Sequence, residues 1–270
     1  MRSAVGDRLS VEREIARGGA ARVFLATDRS GAHVAVKVLH PELAVSVAAE
    51  RFVREIEFLK TLDHPNIARL LDSGERDFII YYIMPYVDGP SLQTHLRRAR
   101  RLSIDDTLRL AEDLLDALGY AHARGIVHRD VKPDNIVLAH TGPILVDFGI
   151  ARAVAASGTS RLTRSGFAVG TSSYMSPEQV QGVADIDHRS DIYSMGCVLY
   201  ECLVGQPAFR APQEEVVLRK HLEGEFEALS GMRDDLPGPL TAAVERAMAR
   251  HRDDRWPDAQ AMRTALRSRS

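Results

Sequence analysis

The sequence predicts an α+β protein in which a small, β-rich N-terminal part precedes a larger part made mostly of helices. About the first 90 residues contain short runs of β-branched and aromatic residues, which favour strands. After Gly89 the apolar residues recur instead at helical spacing. With 270 residues the chain is long enough for one large domain or two lobes.

The N-terminal part is predicted to hold four strands and one helix. The strands are Leu9–Ile15, Arg22–Thr27, Val34–Leu39 and Phe78–Met84. A helix from Ala48 to Leu62 interrupts them, because the apolar residues of this stretch form one stripe at helical spacing. The change from strands to helices is predicted near residues 86–90.

Several helices are predicted in the C-terminal part. The first begins at Ser103, followed by acidic residues that are typical of a first turn, and runs through Ala121. The segment Ser190–Leu203 is apolar nearly all round, which indicates a helix buried on most sides. Three more helices are predicted at Gln213–Glu223, Leu240–Arg250 and Asp258–Ser268. Residues 153–167 read as a long loop, and loops of this length are usually functional.

Composition narrows the function classes. The net charge of −2 gives no electrostatic reason to expect nucleic acid or an anionic membrane as a partner. The basic run Arg97–Arg101 is interpreted as a solvated helix end, with a docking patch as the alternative. No apolar window is long enough to cross a bilayer, and no signal peptide is apparent, which predicts a cytoplasmic protein. Cys197 and Cys202 are five residues apart on a predicted helix and point apart, so we expect free thiols.

Two polar loops carry residues suited to phosphoryl chemistry. Asp130, Lys132 and Asn135 occur within the stretch HRDVKPDN, and Asp147 opens a DFG triplet 12 residues after Asn135. Taken alone, either string could be a polar turn. Together they supply groups that hold magnesium, neutralise a transferring phosphoryl group and accept a proton from a hydroxyl. Their order and spacing favour this chemistry.

These motifs resemble those of the protein kinase family, and within it the bacterial serine/threonine kinases of eukaryotic type. The resemblance extends from about Leu9 to about Ala265. It implies a bilobal protein-kinase-like fold, with a small five-stranded antiparallel β lobe containing one main helix and a larger, mostly helical lobe. The first lobe and the hinge would span residues 1–87, and the second residues 88–270.

The resemblance implies an ATP site in the N-terminal lobe and the hinge. A glycine-rich loop lets backbone N–H groups approach phosphates, but alanines at 16 and 21 replace two of the family's glycines, so we expect a stiffer loop. Lys37 would contact the α- and β-phosphates and pair with Glu55. Glu57 is the rival partner but faces elsewhere on the helix. The ATP-binding residues are predicted to be Ile15, Ala16, Arg17, Gly18, Gly19, Ala20, Ala21, Arg22, Val23, Ala35, Lys37, Met84, Pro85, Val87 and Val137.

The resemblance also implies the roles of the two polar loops. Asp130 would accept the proton of the substrate hydroxyl, and Lys132 would neutralise charge on the γ-phosphate. Asn135 and Asp147 would bind Mg²⁺, with Mn²⁺ as an alternative ion. The predicted catalytic set is Asp130, Lys132, Asn135, Lys37 and Glu55.

Regulatory and structural roles follow from the same resemblance. Arg129 is a ready partner for a phosphate, and Thr163 and Ser165 are the candidate phosphosites. Thr171 is predicted to face the substrate. The family pattern further implies a buried ion pair between Glu178 and Arg255, and an anchoring role for Asp191 beneath the catalytic loop.

The predicted function is an ATP-dependent serine/threonine protein kinase that phosphorylates protein substrates and its own activation loop, in trans within a homodimer. A pseudokinase that serves as a nucleotide-binding scaffold is the main alternative, supported by the altered glycine-rich loop. A small-molecule kinase of related fold is a third reading. If the chain is a fragment, it would be the cytosolic domain of a membrane-anchored receptor kinase.

Overall fold

The computed structural model describes residues 8–18, 21–39, 56, 58–76, 79–148 and 171–268. Contacts divide the chain into two compact units. The N-terminal unit consists of Met1–Asp88 together with Gly149–Ala168, and the C-terminal unit consists of Gly89–Phe148 together with Val169–Ser270.

A five-stranded antiparallel sheet forms the described part of the N-terminal unit. Its strands are β1 (Leu9–Arg17), β2 (Ala21–Asp28), β3 (His33–Leu39), β4 (Asp72–Arg76) and β5 (Ile79–Pro85), in the spatial order β1-β2-β3-β5-β4. Four of them lie where the residue pattern predicts strands, each within two residues of the predicted bounds. The exception is β4, whose sequence DSGER lacks the β-branched and aromatic residues that mark a strand.

One face of this sheet is apolar and buried. Val34 and Val36 alternate along β3 with residues of the opposite face, as the twofold period of a strand requires. They pack with Ala26, Tyr81 and Ile83 in one core cluster. Of the helix predicted from Ala48 to Leu62, the structure describes Ile56, a 3-10 turn at Phe58–Thr61 and Leu62, and the remainder lies outside the described residues.

Helices dominate the C-terminal unit. Those in the described residues are α1 (Leu92–Ala99), α2 (Ile104–His122), α3 (Pro177–Val180), α4 (Arg189–Val204), α5 (Glu214–Glu223), α6 (Leu229–Met232), α7 (Gly238–Ala247) and α8 (Ala259–Arg267). The five predicted helices are confirmed as α2, α4, α5, α7 and α8. Ser103 caps α2 as expected, since its hydroxyl accepts the backbone N–H of Asp106 at 3.0 Å.

The central helix of this unit is α4. Every residue from Ser190 to Leu203 is buried, which agrees with the nearly continuous apolar sequence. Cys197 and Cys202 lie on it as buried free thiols, as predicted. The helix ends at Gly205 with φ 89°, where a Cβ atom would lie 2.5 Å from the carbonyl oxygen of Arg100. A glycine is therefore required at this position both by the backbone conformation and by the close approach.

A two-stranded hairpin completes the C-terminal unit. Strands β6 (Ile136–Ala139) and β7 (Gly142–Leu145) pair antiparallel, with Ile136 opposite Leu145. This hairpin was not predicted from the sequence. Within the part of the chain that the structure describes, no helix combines the length and apolar character needed to cross a bilayer.

Candidate active site

The β6–β7 hairpin brings the two polar loops together. Asn135 immediately precedes β6, and Asp147 follows β7 by two residues. The N–H of Val146 donates to the carbonyl oxygen of Asn135 at 3.0 Å, which extends the hairpin ladder by one step. Asn135 and Asp147 therefore emerge at the same open end of the hairpin, although they lie 12 residues apart in sequence.

The Asp130 carboxylate is the centre of a dense hydrogen-bond group. The Lys132 ammonium donates to both of its oxygens, at 2.9 Å and 2.7 Å. The Asn135 Nδ2 donates to Asp130 Oδ2 at 2.9 Å and to the Asp130 carbonyl oxygen at 2.8 Å. Because both of these atoms are acceptors, the amide nitrogen of Asn135 must face them and its Oδ1 must point the other way.

His128 connects the loop that carries Asp130 with Val146, the residue before Asp147. Its Nδ1 accepts the backbone N–H of Asp130 at 3.2 Å, so the ring proton belongs on Nε2, which lies 3.1 Å from the carbonyl oxygen of Val146. Burial lowers the pKa of His128, and the ring is therefore neutral. It packs on Phe148 with ring centroids 4.4 Å apart.

Asp191, near the start of α4, binds the backbone of the loop that carries Asp130. Its carboxylate accepts the backbone N–H groups of His128 at 2.8 Å and Arg129 at 2.7 Å, and it lies 2.8 Å from Nε2 of His122. Burial alone would raise the pKa of Asp191, but these hydrogen bonds and the neighbouring histidines lower it. The predicted anchoring role is confirmed, and Asp191 is a buried carboxylate that remains ionised.

Arg129 is held on several sides. Its backbone has φ 66°, which is uncommon for a residue other than glycine. Its guanidinium donates to the carbonyl oxygen of Ile186 at 3.1 Å, and its own carbonyl oxygen accepts from the side chain of Gln179 at 2.7 Å. Thr163 and Ser165 lie outside the described residues, so the proposed phosphate contact stays a prediction.

The segment that the sequence predicts to face the substrate forms a 3-10 turn at Thr171–Tyr174. The Ser194 hydroxyl donates to the carbonyl oxygen of Tyr174 at 2.7 Å, and the Tyr174 hydroxyl donates to Glu201. Burial raises the pKa of the Glu201 carboxyl. Both contacts fasten the end of the turn to α4. The side chain of Thr171 is not among those that the structure describes.

The predicted ion pair between Glu178 and Arg255 is confirmed. Their side chains meet through two parallel hydrogen bonds of 2.7 Å and 2.8 Å. The remaining Arg255 N–H groups donate to three backbone carbonyl oxygens, and Ser190 donates to Glu178 at 2.5 Å. Burial opposes ionisation of Glu178, but these bonds lower its pKa. The full set of partners compensates the desolvation of both charges.

In the N-terminal unit, strand register places the main nucleotide candidates on one face of the sheet. Ala16 is opposite Val23, Val23 is opposite Lys37, and Ala35 is opposite Met84. Directly paired residues point to the same side, and Ala35 and Lys37 are two positions apart on one strand. This face lies opposite the apolar core of the sheet. The Lys37 ammonium lies 5.9 Å from the centre of the Tyr82 ring.

The side chains of the two arginines in the predicted phosphate loop lie on the opposite face of the sheet from Lys37. Arg17 and Arg22 are paired across the hairpin, and both donate to Glu14, at 2.7 Å and 3.0 Å. These bonds lower the pKa of Glu14 to about 2. Since Arg22 is opposite Val38, its side chain belongs to the face that carries Val36, away from Lys37. Any phosphate contact by these two residues would therefore involve their backbone.

The remaining predicted residues that the structure describes lie in strands or next to them. Ile15 belongs to β1, Ala21 begins β2, Pro85 ends β5, and Val137 lies in β6. Gly18 donates its N–H to the carbonyl oxygen of Ala21 at 2.9 Å, and Val87 follows β5 without regular structure. Gly19, Ala20 and Glu55 lie outside the described residues.

The donor set fits a magnesium ion that arrives with a nucleotide. Asn135 Oδ1 and the Asp147 carboxylate are hard oxygen donors, and Mg²⁺ commonly keeps water and phosphate oxygens as its other ligands. Among the described residues there is no group of three or more His, Cys, Asp or Glu side chains that could hold a metal unaided. Two protein ligands plus phosphate match this arrangement.

Comparison with known proteins decides the family. The model of the protein kinase domain family matches residues 9–263. The chain belongs to the protein kinase family. A probable serine/threonine-protein kinase of Streptomyces coelicolor is 39% identical to this kinase over 270 residues, covering 97% of the kinase chain and 40% of the relative. The serine/threonine-protein kinase PknB of Mycobacterium tuberculosis is 38% identical over 271 residues, covering 98% and 43%.

A third relative agrees with these two. The probable serine/threonine-protein kinase PknB of Bifidobacterium longum is 37% identical over 273 residues, covering 97% of the kinase chain and 39% of the relative. The kinase chain therefore spans about two-fifths of the length of the relatives it matches.

Some residues of the site were not predicted from the sequence. His122 contacts Asp191, Gln179 contacts the Arg129 backbone, and Glu201 contacts Tyr174. Each partner is at least 27 residues away in the chain. A short motif carries no signal for such contacts, because only the three-dimensional fold brings these residues together.

Proposed function

We propose that this kinase domain transfers the γ-phosphoryl group of ATP to serine or threonine hydroxyls of proteins. The observation that carries the proposal is the Asp130 group, in which Lys132 and Asn135 orient a carboxylate whose loop is anchored by Asp191. A carboxylate fixed in this way is suited to receive and position a hydroxyl.

The hydrogen-bond inventory leaves room for the substrate. An ionised carboxylate offers about four acceptor positions. The bonds from Lys132 and Asn135 occupy three of those on Asp130. The fourth can accept the substrate O–H, which directs the oxygen lone pair toward the γ-phosphorus. As the new P–O bond forms, the bond from the γ-phosphorus to the β–γ bridging oxygen breaks, ADP leaves with that oxygen, and the hydroxyl proton moves to Asp130.

Lys132 can serve Asp130 and the phosphate at once. An ammonium group has three N–H donors. Two of them account for the contacts to the Asp130 oxygens. The third can donate to an oxygen of the γ-phosphate, where negative charge has to be stabilised during transfer. Lys132 thereby lowers the repulsion between the Asp130 carboxylate and the incoming phosphate.

Asn135 and Asp147 would hold Mg²⁺, or Mn²⁺, together with the nucleotide. The bound ion neutralises phosphate charge and helps to orient the phosphates. Asn135 would serve two purposes. Its amide nitrogen orients Asp130, and its oxygen, which points the other way, is free to bind the ion. Lys37 and Glu55 would complete the catalytic set. The predicted nucleotide contacts of residues 15–23, Ala35, Met84, Pro85, Val87 and Val137 belong to this proposal as well.

The proposal also covers the regulation of the protein and its location in the cell. Thr163 and Ser165 are the proposed autophosphorylation sites, which a second copy of the chain would modify in trans. Arg129 would then bind the phosphate group. Thr171 would face the protein substrate. The relatives' names describe serine/threonine-protein kinases, which supports serine and threonine hydroxyls as the acceptors of the phosphoryl group. A cytoplasmic location, alone or as part of a membrane-anchored receptor kinase, is part of the same proposal.

Two substitutions with matched controls test the activity. Asp130→Asn and Lys37→Met should each lower the kcat of phosphate transfer to a basic protein by about 100-fold or more, because they remove the proton acceptor and a phosphate contact. Asp134→Asn changes an exposed carboxylate of the same loop, and Lys60→Met changes a lysine paired with Asp72 at 3.5 Å. Both controls should keep wild-type kcat.

The assay also separates the proposal from the scaffold alternative. Transfer by the Asp130→Asn protein at the wild-type rate would refute the assignment. Nucleotide binding by the wild-type protein, without transfer to any protein and without phosphate on Thr163 or Ser165 by mass spectrometry, would instead establish a pseudokinase.

A further inference from the structure

A buried histidine lies next to the turn that is proposed to face the substrate. His221, in the last turn of α5, has no exposed surface. Its Nδ1 lies 2.7 Å from the hydroxyl of Tyr193, and its ring packs on Phe209 with centroids 3.9 Å apart. The proposed catalytic steps make no use of this residue.

The ring of His221 is neutral, and its proton can be assigned. Burial lowers its pKa to about 3, and the main chain of Ser172 opposes this shift. Helix α5 packs against the Thr171–Tyr174 turn, and a main-chain group that raises the pKa of a histidine is an acceptor, here the carbonyl oxygen of Ser172. Burial raises the pKa of Tyr193, whose hydroxyl therefore keeps its proton and can donate to Nδ1. The proton of the neutral imidazole then resides on Nε2.

His221 Nε2 is a buried donor with no hydrogen bond that meets normal geometry in the described part of the chain. Such groups are rare and costly in native proteins, and each calls for an explanation. The Ser172 oxygen accepts a long bond of 3.3 Å from the N–H of Met175, and a carbonyl oxygen has a second lone pair for another donor. The second lone pair of the Ser172 oxygen is therefore suited to the Nε2 donor.

We infer that His221 is a positioning residue for the protein substrate, which holds the Thr171–Tyr174 turn by donating from Nε2 to the carbonyl oxygen of Ser172. The inference rests on the proposed function. The far end of the turn is already fastened to α4 by Ser194 and Glu201. His221 fixes the near end, next to Thr171, so that the turn is held from two helices.

This role makes a specific kinetic prediction. Since His221 acts on the turn and not on the Asp130 group, its loss should weaken binding of the protein substrate while nucleotide binding is kept. The two ring nitrogens can also be tested separately, because the amide of glutamine reaches as far as Nε2 and the shorter amide of asparagine reaches only as far as Nδ1.

The experiment compares steady-state kinetics of His221→Leu, His221→Asn and His221→Gln with a serine-containing protein substrate. His221→Leu and His221→Asn should raise KM for the protein by about fivefold to tenfold, the range expected for one lost hydrogen bond. KM for ATP should stay within about twofold. His221→Gln should restore the protein KM to within about twofold of wild type, because it returns a donor to Ser172.

Phe209→Leu is the control for packing, since Phe209 is fully buried against the same ring but offers no hydrogen bond. It should lower the thermal midpoint as much as His221→Leu does while leaving the protein KM unchanged. An unchanged protein KM in His221→Leu, or a glutamine variant as impaired as the leucine variant, would overturn the inference. Loss of transfer in the wild-type protein would refute the proposed function instead.

Discussion

Replacing Asp191 by alanine is the most demanding test of how this site is built. The change removes the acceptor of two backbone N–H groups, from His128 and Arg129, and of the His122 ring. Each hydrogen bond to a charged group contributes about 1.5–3 kcal/mol, and removal of the desolvated carboxylate offsets part of this loss. We expect a net loss of roughly 3–5 kcal/mol, as is typical when one partner of a buried charged group is removed.

The Asp191→Ala substitution should also lower the rate of phosphate transfer. The loop that carries Asp130 follows directly after the two N–H groups that Asp191 binds, so kcat should fall about 100-fold through misplacement of the proton acceptor. KM for ATP should change much less, because Asp191 has no proposed contact with the nucleotide. A fall in kcat without a matching rise in KM distinguishes this effect from loss of a binding group.

The chain provides its own probe for the measurement. Its single tryptophan, Trp256, lies in the C-terminal unit, where its ring nitrogen donates to the carbonyl oxygen of Ala243 at 2.9 Å. Urea unfolding followed by tryptophan fluorescence therefore reports on the unit that contains Asp191. The control is Asp253→Ala, which removes an exposed partner of Arg189 and should cost at most about 1 kcal/mol. A loss below about 1 kcal/mol in Asp191→Ala, together with unchanged kcat, would refute the reasoning.

Two further predictions concern pH and the phosphate loop. Because burial lowers the pKa of His221 to about 3 from its ordinary 6.5, the unfolded chain binds a proton that the folded chain rejects between these values. Stability of the C-terminal unit should therefore be complete above about pH 6.5 and fall as pH drops toward 3, by at most ~1.4 kcal/mol per pH unit for this group, and His221→Gln should remove this contribution in urea titrations at several pH values. Restoring glycine at both Ala16 and Ala21 should lower KM for ATP about two- to fivefold if the alanines stiffen the loop, and an unchanged KM would reject that view.

The strands and helices that could be predicted are those with a strong local pattern. The helix α4 is apolar on nearly every side, and α2 begins with a serine cap and two acidic residues. In contrast, β4 reads DSGER and becomes a strand only because it pairs with β5 from Asp72 to Arg76. Its hydrogen bonds are supplied by a neighbour, so local propensity carries no signal for it. The family resemblance, however, did imply a fifth strand.

The β6–β7 hairpin could have been predicted from residues alone. Ile136–Leu138 and Ile144–Leu145 are short apolar runs, and Gly142 between them has φ 125°. Two short apolar runs separated by a glycine are typical of a hairpin. The polar motifs on either side were interpreted as two loops, and the strands between them were not predicted. The omission matters, since this hairpin is what brings Asn135 and Asp147 to one end.

The site itself divides in the same way. Asp130, Lys132 and Asn135 are close in sequence, so their spacing alone indicates a shared site. The contacts of His122 with Asp191 and of Tyr193 with His221 join residues 69 and 28 positions apart. Histidines of this kind read as surface or core filler in a sequence, and their roles depend on which buried acceptors the fold places beside them.

Two residues of the proposed active site have unfavourable backbone conformations. Among the described residues, Arg129 and Asp147 are two of only three non-glycine residues with positive φ, both at 66°. Each such conformation costs on the order of 1–3 kcal/mol and persists only where the surroundings determine it. For Arg129 the surroundings are Asp191 and Gln179, which bind its N–H and its carbonyl oxygen. Glycine would relieve the strain at either position but would remove a guanidinium or a carboxylate from the site. The unfavourable backbone at these two positions is therefore best explained by the side chains that it presents, and at Arg129 the hydrogen bond to Asp191 helps to stabilise that backbone.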